Sequence, residues 1–302
     1  MNHTSGRSLL VGCTAAALTL VATACSGQTA TVDSGSDDGG DSKSLTISFT
    51  PGYDEDIAAT YLWKQILEEK GYKIDVQELD IASSYAGVAN KQIDLYLDAW
   101  LPTTHEPYWK KFGDKLDVAS TWYEPADLNL TVPTYVKDVN TIADLKAHAS
   151  EFGSQIYGIE AGTGLMRLTR TSVMPKYGLD DFQLTESSTP AMLSELQSAI
   201  KSKKPIVVTL WRPHWAYTKL PLKALKDTEG AYGKPDKVQA IAPKGFADDH
   251  PDVAGWLKNF KLTSDQLGEL ELLIQKKGEG NEQEAAKEWM AQNKSVVDSW
   301  LK

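Results

Sequence analysis

Two tryptophans are each followed two residues later by a proline, in the segments Trp100-Leu101-Pro102 and Trp211-Arg212-Pro213. Each motif stands at the end of an apolar run that is typical of a strand. Proline ends a strand because it lacks the backbone N–H that a ladder needs. The tryptophan is then left at a rigid corner with its ring free to line a cavity for a small molecule, although the same motif would also serve simply to stiffen a turn.

The elements that position these residues follow from the hydrophobic pattern. Short β-type runs predict strands over 45–50, 74–79, 93–100, 156–160 and 205–211. Helical periodicity predicts helices between them: one opened by Asp54 and Glu55 and closed at Gly71, one over 84–90, one over 165–177 closed by Gly178, and one capped by Thr189 with Pro190 at its first position. Strands that alternate with helices predict parallel α/β sheets.

The chain beyond residue 240 is predicted to be helical. Helices are expected over 252–260, 265–277 and 282–301, and Thr263 and Gln266 have the spacing of a capping box before the second. Ala285, Trp289, Val296 and Trp300 recur at helical spacing in the last of these helices, and Trp256 lies in the first. The tryptophans are therefore expected to pack in the core.

Four features fall at the carboxyl ends of predicted parallel strands: Tyr53, Trp100, the glycine turn 162–165 and Trp211. Ligands bind at this edge of open α/β sheets, and two such sheets that face each other form a cleft between lobes. The sequence therefore predicts a cleft for a small molecule, with aromatic side chains in its walls.

The same segments carry a resemblance to a known family. Three segments resemble the motifs of glycine betaine binding proteins of ABC importers. They are the run from Ala99 through Trp100, Leu101 and Pro102 to His105, the run Trp211-Arg212-Pro213-His214-Trp215, and, between them, Ala161-Gly162-Thr163-Gly164-Leu165-Met166. The resemblance extends from about residue 45 to the C-terminus. It implies a two-lobed, periplasmic-binding-protein-like (type II) α/β fold with the ligand cleft between the lobes, residues 45–135 plus 240–302 forming lobe 1 and residues 136–239 forming lobe 2.

The function implied by the resemblance is transport, not catalysis. Such a protein is the extracytoplasmic component of an ABC importer that captures glycine betaine, or a related quaternary ammonium solute, for osmoprotection. It delivers this ligand to a membrane permease driven by an ATPase. The implied partners are therefore the small-molecule ligand, the permease and its ATPase.

An aromatic box in this family holds the trimethylammonium group, and the resemblance implies Trp100 and Trp211 as two of its walls. A quaternary ammonium has no N–H to donate, so ring faces must select it. Many relatives have a third tryptophan where this chain has Tyr53 or Thr163. Tyr53 is therefore expected to form the third wall, with Tyr85 as a weaker candidate.

The resemblance also implies how the ligand's carboxylate is held. It assigns this contact to the backbone N–H groups of Gly164 and Leu165 and to the side chain of His105. A glycine turn that enters a helix offers such donors with a favourable dipole. His105 can donate from one ring nitrogen, although a histidine here would also serve to stabilise the turn. His214 and Trp215 are expected to support Trp211 from behind.

Two alternatives remain open at this stage. Tyrosine in place of tryptophan leaves choline, carnitine, proline betaine and ectoine as possible ligands, and the protein would also suit a sensor that presents its closed form to a membrane partner. The other alternative is an exported enzyme, but Arg167 occupies the place of the third glycine of a dinucleotide fingerprint, and no P-loop or nucleophile elbow is present. His105, His214 and His250 have no metal-site spacing, so we predict neither a metal nor a cofactor.

The first 44 residues predict export and anchoring. Arg7, an apolar stretch over 9–20 and small residues before Cys25 are typical of a signal peptide over residues 1–24. Small residues that lead into a cysteine resemble a bacterial lipobox, which implies cleavage before Cys25 and a lipid on its sulfur; an ordinary secretory signal is the alternative. Residues 26–44 are almost purely Gly, Ser, Thr, Asp and Gln, so we expect a flexible linker.

Composition adds three exclusions. The formal net charge of −10 opposes attraction to nucleic acid. Cys13 and Cys25 are the only two cysteines, so no disulfide framework is available to the folded body. The apolar stretch near the N-terminus is too short to span a bilayer. We expect a monomer at the outer face of the cytoplasmic membrane, attached only through the lipid on Cys25.

Overall fold

The computed structural model describes residues 43–302 as an α/β fold around a mixed sheet of nine strands. The predicted signal peptide, the predicted lipid anchor Cys25 and nearly all of the predicted linker lie outside the described residues. None of the helices in the described part of the chain combines the length and the apolar character needed to cross a membrane.

The strands, in chain order, are β1 (Ser44–Phe49), β2 (Lys73–Glu78), β3 (Leu95–Leu101), β4 (Leu116–Pro133), β5 (Gln155–Tyr157), β6 (Gln183–Thr185), β7 (Val208–Arg212), β8 (Leu222–Ala224) and β9 (Asp236–Pro243). The helices are α1 (Asp54–Glu69), α2 (Ile81–Ala89), α3 (Glu106–Phe112), α4 (Gly164–Leu168), α5 (Met174–Tyr177), α6 (Thr189–Ser202), α7 (Ala216–Lys219), α8 (Phe246–Asp249), α9 (Pro251–Asn259), α10 (Ser264–Lys277), α11 (Glu282–Gln292) and α12 (Lys294–Trp300). Short 3-10 helices cover Gly113–Lys115 and Ile142–Phe152, and a π-helical turn over Thr169–Val173 joins α4 to α5.

The sheet contains both parallel and antiparallel pairs. Its strand order is β2-β1-β3-β9-β4-β7-β5-β6, and β8 pairs with β4. The five predicted strands are all present as β1, β2, β3, β5 and β7, and each has a parallel partner, as expected. The antiparallel pairs come from β4 and β9, which the hydrophobic pattern did not predict. The predicted parallel pairs are therefore present, and β4 and β9 make the sheet a mixed one.

Strand β4 changes its pairing partner partway along its length. Residues up to Ala126 pair with β9, residues 127–131 pair with β7, and residues 131–133 pair with β8. Three register shifts interrupt its pairing with β9. Such irregularities bend a strand and increase its twist, which allows one long strand to serve two parts of the sheet.

Helix termini agree with the sequence predictions in some places and differ in others. The capping box of Thr263 and Gln266 at α10 is confirmed, and Gly178 ends α5 in the left-handed conformation with φ of 59°. The cap of α6 is Ser188 and not Thr189, because the Ser188 hydroxyl accepts the Ala191 N–H. The single helix predicted over 282–301 is divided into α11 and α12 at Asn293.

Tryptophans of the terminal helices pack as expected. Trp289 and Trp300 are buried, and their rings stack at 6.4 Å between centroids with an interplanar angle of 13°. Phe260 meets the edge of Trp300 at 5.0 Å and stacks on Trp122 at 5.3 Å. Trp256 is only half-buried, and the Lys70 amine lies 5.4 Å above its ring. This aromatic cluster forms part of the hydrophobic core.

Candidate functional site

The first Trp-x-Pro corner closes a tight turn at the end of β3. The Trp100 N–H donates to His105 Nδ1 at 3.1 Å, and the His105 N–H donates to the Trp100 carbonyl at 2.9 Å. The indole N–H of Trp100 donates to Asp98 Oδ1 at 2.8 Å. Both the backbone and the ring of Trp100 are therefore fixed, as expected for a residue at a rigid corner.

The hydrogen bond within this turn determines the tautomer of His105. Because Nδ1 accepts the Trp100 N–H, the ring proton lies on Nε2, which is then a donor. Burial, and to a smaller extent the neighbouring Arg167 charge, lowers the pKa of His105 to about 3. His105 is therefore a neutral imidazole at physiological pH. The ring stabilises the turn through one nitrogen and retains a donor on the other, so the two roles considered for His105 are compatible.

The second Trp-x-Pro corner ends β7 and places Trp211 against two other rings. Tyr53 meets Trp211 at 5.7 Å between centroids and 60° between planes, and His214 meets it at 4.8 Å and 85°. The Trp215 indole N–H donates to Asp54 Oδ2 at 2.5 Å. His214 therefore packs directly against Trp211, as predicted, while Trp215 attaches this corner to the start of α1.

The glycine turn comes unusually close to the first corner. The Thr163 hydroxyl caps α4 by accepting the Met166 N–H at 3.2 Å. A Cβ on Gly164 would lie 2.5 Å from Thr104 Cγ2 and 2.6 Å from the Thr104 carbonyl oxygen, so only glycine fits at this position. Arg167 Nη2 also donates to that carbonyl at 3.2 Å. The turn and the residues around Thr104 are thus held in direct contact.

These elements surround one cavity of about 30 Å³, which has room for about one water molecule. Its lining consists of Tyr53, Glu55, Trp100, Thr104, His105, Leu128, Ile159, Gly164, Leu165 and Trp211. All six residues that the sequence singled out for ligand contact are therefore brought together. Tyr85 is fully buried and does not line this cavity. The roles of the six residues in binding remain predictions.

Four lining residues were not among the sequence predictions: Glu55, Thr104, Leu128 and Ile159. Thr104 could have been predicted from the sequence, because it directly precedes His105 in the first motif. Glu55 was considered only as a favourable charge in the first turn of α1. Its spacing of two residues from Tyr53 gave no signal, because residues two apart on a helix do not face each other. Leu128 lies on β4, which the hydrophobic pattern did not predict.

Glu55 is a buried carboxyl group without a full set of partners. Its side chain is 1% exposed, and its Oε2 atom has no hydrogen bond to any described residue. Burial raises the pKa of Glu55 well above its usual value, and Asp54 and Asp56 add to this, while the nearby Trp211 indole acts in the opposite direction. The Trp211 indole nitrogen nevertheless has no hydrogen bond of normal geometry to the described residues.

Asp98 and Glu55 together form a cluster of carboxyl groups beside the rings. Burial raises the pKa of Asp98 well above its usual value, and Glu55 and Asp56 raise it further. A cation placed among the rings would favour ionisation of these carboxyl groups. Within residues 43–302, no group of three or more His, Cys, Asp or Glu side chains has the arrangement to hold a metal ion.

Comparison with known families gives one match over most of the chain. The family described as the substrate binding domain of ABC-type glycine betaine transport systems matches residues 43–292. A glycine betaine/carnitine transport binding protein of Listeria monocytogenes is 42% identical over 148 residues, which are 48% of this chain and 48% of that protein. The match therefore spans about half the length of that relative.

Solved structures resemble the chain over a larger part of its length. Lactococcal OpuAC in its closed, liganded conformation with glycine betaine has a TM-score of 0.79 and 33% identity, and the match covers 86% of this chain and 99% of that one. An ABC-transporter choline binding protein in complex with choline has a TM-score of 0.76 and 27% identity, covering 86% of this chain and 92% of that one. The periplasmic-binding-protein-like α/β fold is thereby confirmed.

Proposed function

The chain belongs to the family of substrate-binding domains of ABC-type glycine betaine transport systems, and from this membership we propose that it captures glycine betaine, or a closely related quaternary ammonium solute, in the cavity described above. One observation carries the proposal. The aromatic residues and the hydrogen-bond donors singled out from three separate motifs line the same cavity. Aromatic rings and carboxyl groups lie together, and neutral donors complete the lining.

The ammonium group is proposed to lie among Trp100, Trp211 and Tyr53. A trimethylammonium group offers methyl groups and a positive charge but no N–H, so ring faces are its natural contacts. The rings of Trp211 and Tyr53 meet at an angle of 60°, which presents more than one face to the same volume. Burial raises the pKa of Tyr53, and the charges of Glu160, Asp98 and Glu55 raise it further. Their carboxyl groups would favour a cation at this position.

The carboxylate is proposed to meet the first N–H groups of α4 and the ring of His105. An uncapped helix N-terminus has free N–H groups and the positive end of the helix dipole. The Thr163 hydroxyl occupies the Met166 N–H, so the N–H groups of Gly164 and Leu165 remain for the ligand. The Nε2–H of His105 adds a neutral donor that needs no change of protonation.

Choline is the second candidate, because of Glu55. Choline has a hydroxyl group in place of the carboxylate, and its hydroxyl can donate to a carboxyl oxygen. The partnerless Oε2 of Glu55 is such an acceptor. Glycine betaine remains the first candidate because its carboxylate would use the His105 and α4 donors, which a choline hydroxyl would use less well.

We also propose the wider role that family membership suggests. The protein would release its ligand to an ABC permease with its ATPase, and it would act as a binding protein and not as an enzyme. It would work as a monomer at the outer face of the cytoplasmic membrane, held by a lipid on Cys25. Two lobes would close on the ligand; the change of β4 pairing partner between Ala126 and Asp127 supports a crossing between them at that point.

Calorimetric titration of the purified protein tests the proposal. Glycine betaine, proline betaine, carnitine, choline and ectoine would be titrated in the same buffer. We expect glycine betaine or proline betaine to bind most tightly. Tightest binding of choline would favour the second candidate, and failure of all five ligands to bind would refute the proposed function.

A further inference from the structure

Asp236 is a buried acidic residue outside the cavity lining. It is the first residue of β9, at the point where the chain returns from β8, and it pairs with Ala126. The next residue of β4, Asp127, already pairs with β7. Asp236 is only 3% exposed. It therefore lies where the sheet changes its pairing, and burial of a carboxylate at such a place requires strong partners.

The partners of Asp236 all belong to the turn that carries His105. The Thr103 N–H donates to Oδ1 at 2.6 Å, the Thr104 N–H donates to Oδ2 at 3.0 Å, and the Thr104 hydroxyl donates to Oδ2 at 2.5 Å. Hydrogen bonds to an ionised acceptor are the stronger ones in proteins. Three of them from two consecutive residues fix both the backbone and the side chain of the turn.

We propose that Asp236 is a positioning residue for ligand binding, which holds the turn over residues 102–105 so that His105 faces the carboxylate of the ligand. The inference rests on the proposed function, because it assumes that His105 meets that carboxylate. Asp236 itself does not line the cavity. It acts through Thr103 and Thr104.

The two ends of the turn depend on Asp236 to different degrees. Trp100 has anchors of its own, because it pairs with Val238 in the sheet and its indole donates to Asp98. Thr104, directly before His105, donates two of the three hydrogen bonds to Asp236. Loss of these bonds should displace His105 and the Thr104 carbonyl that faces Gly164, while Trp100 keeps its place.

This difference predicts an effect on selectivity, not only on affinity. In an Asp236→Asn variant one oxygen acceptor is replaced by an amide N–H₂ of similar size. We expect glycine betaine to bind about tenfold more weakly, which is the loss of one hydrogen bond to a charged group. Choline lacks the carboxylate, so we expect its affinity to change less than about threefold, well below the loss for glycine betaine.

The matched control is Asp144→Asn. Asp144 also accepts two backbone N–H groups, from Asn140 at 2.9 Å and Thr141 at 2.8 Å, but it lies at the start of the 3-10 helix Ile142–Phe152 and does not line the cavity. We expect this variant to retain both affinities. If Asp236→Asn lowers both affinities equally, or neither, the positioning role is wrong.

A spectroscopic readout tests the position of His105 without any ligand. Nitrogen-15 NMR of histidine-labelled protein, with the His105 signals assigned by their loss in His105→Ala, should show a single Nε2–H tautomer in the wild type. In Asp236→Asn we expect a mixture of tautomers, because the bond from the Trp100 N–H to Nδ1 is weakened. An unchanged single tautomer would overturn the inference.

Two further measurements test the proposal if Asp236→Asn does not fold or if the wild type binds neither ligand. If Asp236→Asn does not fold, Thr104→Val removes one of the three hydrogen bonds. It must then weaken glycine betaine about threefold more than choline, and equal losses would count against Asp236. If the wild type binds neither ligand, the proposed function fails, and the tautomer measurement alone decides whether Asp236 positions His105.

Discussion

Replacement of Trp211 by leucine should weaken glycine betaine binding about 2- to 30-fold. Leucine keeps an apolar contact but has no π face. A ring face toward a cation contributes about 0.5 to 2 kcal/mol, and about 1.4 kcal/mol corresponds to a tenfold change in Kd. Trp211 is 3% exposed, so the contact is desolvated, and the loss should fall in the upper half of this range.

The comparison that isolates the charge uses a second ligand, 3,3-dimethylbutanoate. It has the shape and the carboxylate of glycine betaine, but a carbon atom replaces the charged nitrogen. If Trp211 acts through its π face, the preference of the protein for glycine betaine over this isostere should shrink by the same 2- to 30-fold in Trp211→Leu. The ratio cancels changes in packing that affect both ligands alike, as in a double-mutant cycle.

Calorimetric Kd values for both ligands would be measured well below the unfolding midpoint of each variant, because removal of a buried tryptophan also lowers stability. Trp256→Leu is the control: its ring is half-buried beneath the Lys70 amine and does not line the cavity. We expect both Kd values to be unchanged in that variant. If Trp211→Leu weakens both ligands by the same factor, Trp211 only shapes the cavity, and the cation–π argument is refuted.

Three further predictions concern the glycine turn, the histidine and the buried carboxyl groups. Gly164→Ala should lower glycine betaine affinity about tenfold or more, because the new Cβ would lie 2.5 Å from Thr104 Cγ2 and the backbone must shift. In the control Gly162→Ala the new Cβ meets no atom within 4 Å, so the calorimetric Kd should change less than about twofold. Equal effects of the two substitutions would contradict this prediction. His105→Ala should weaken glycine betaine about tenfold and choline less, and equal losses in calorimetry would argue against a carboxylate contact. Burial raises the pKa of Asp54 to about 6. Between pH of about 4 and 6 the folded state therefore binds a proton that the unfolded state has released. The free energy of unfolding should fall as pH rises through this window, by up to about 3 kcal/mol from this group. Denaturant unfolding of Asp54→Asn should show a flatter pH profile than the wild type, and parallel profiles would disprove the shift.

The parts of the site that the sequence predicted were those with local signals. Trp100 and Trp211 were identified because proline ends the strand beside each of them. His105 and Gly164 were identified because a resemblance connected their short motifs. All of these signals lie within a few residues of the feature they predict, so no knowledge of the tertiary pairing was needed.

The parts that were missed depend on contacts between distant segments. Strand β9 contacts β3 and β4 only after the chain has returned from β8, and the register shifts of β4 disturb the alternation by which a strand is recognised. Asp236 belongs to that strand, and its partners Thr103 and Thr104 lie more than 130 residues before it. Glu55 occupies a position where an acidic side chain would also suit the first turn of a helix. Its burial beside Trp211 follows only from the fold.

The arrangement of charge around the cavity favours a zwitterion over either of its halves. Glu55 and Asp98 lie beside the aromatic residues; burial raises the pKa of both carboxyl groups, and a bound cation would favour their ionised forms. The imidazole of His105 remains neutral, so it offers a donor without adding a positive charge. A cation without a carboxylate leaves the His105 and α4 donors without a partner, and an anion without an ammonium leaves the rings and carboxyl groups without one. Unsatisfied buried groups are costly, so glycine betaine should bind more tightly than both choline and 3,3-dimethylbutanoate.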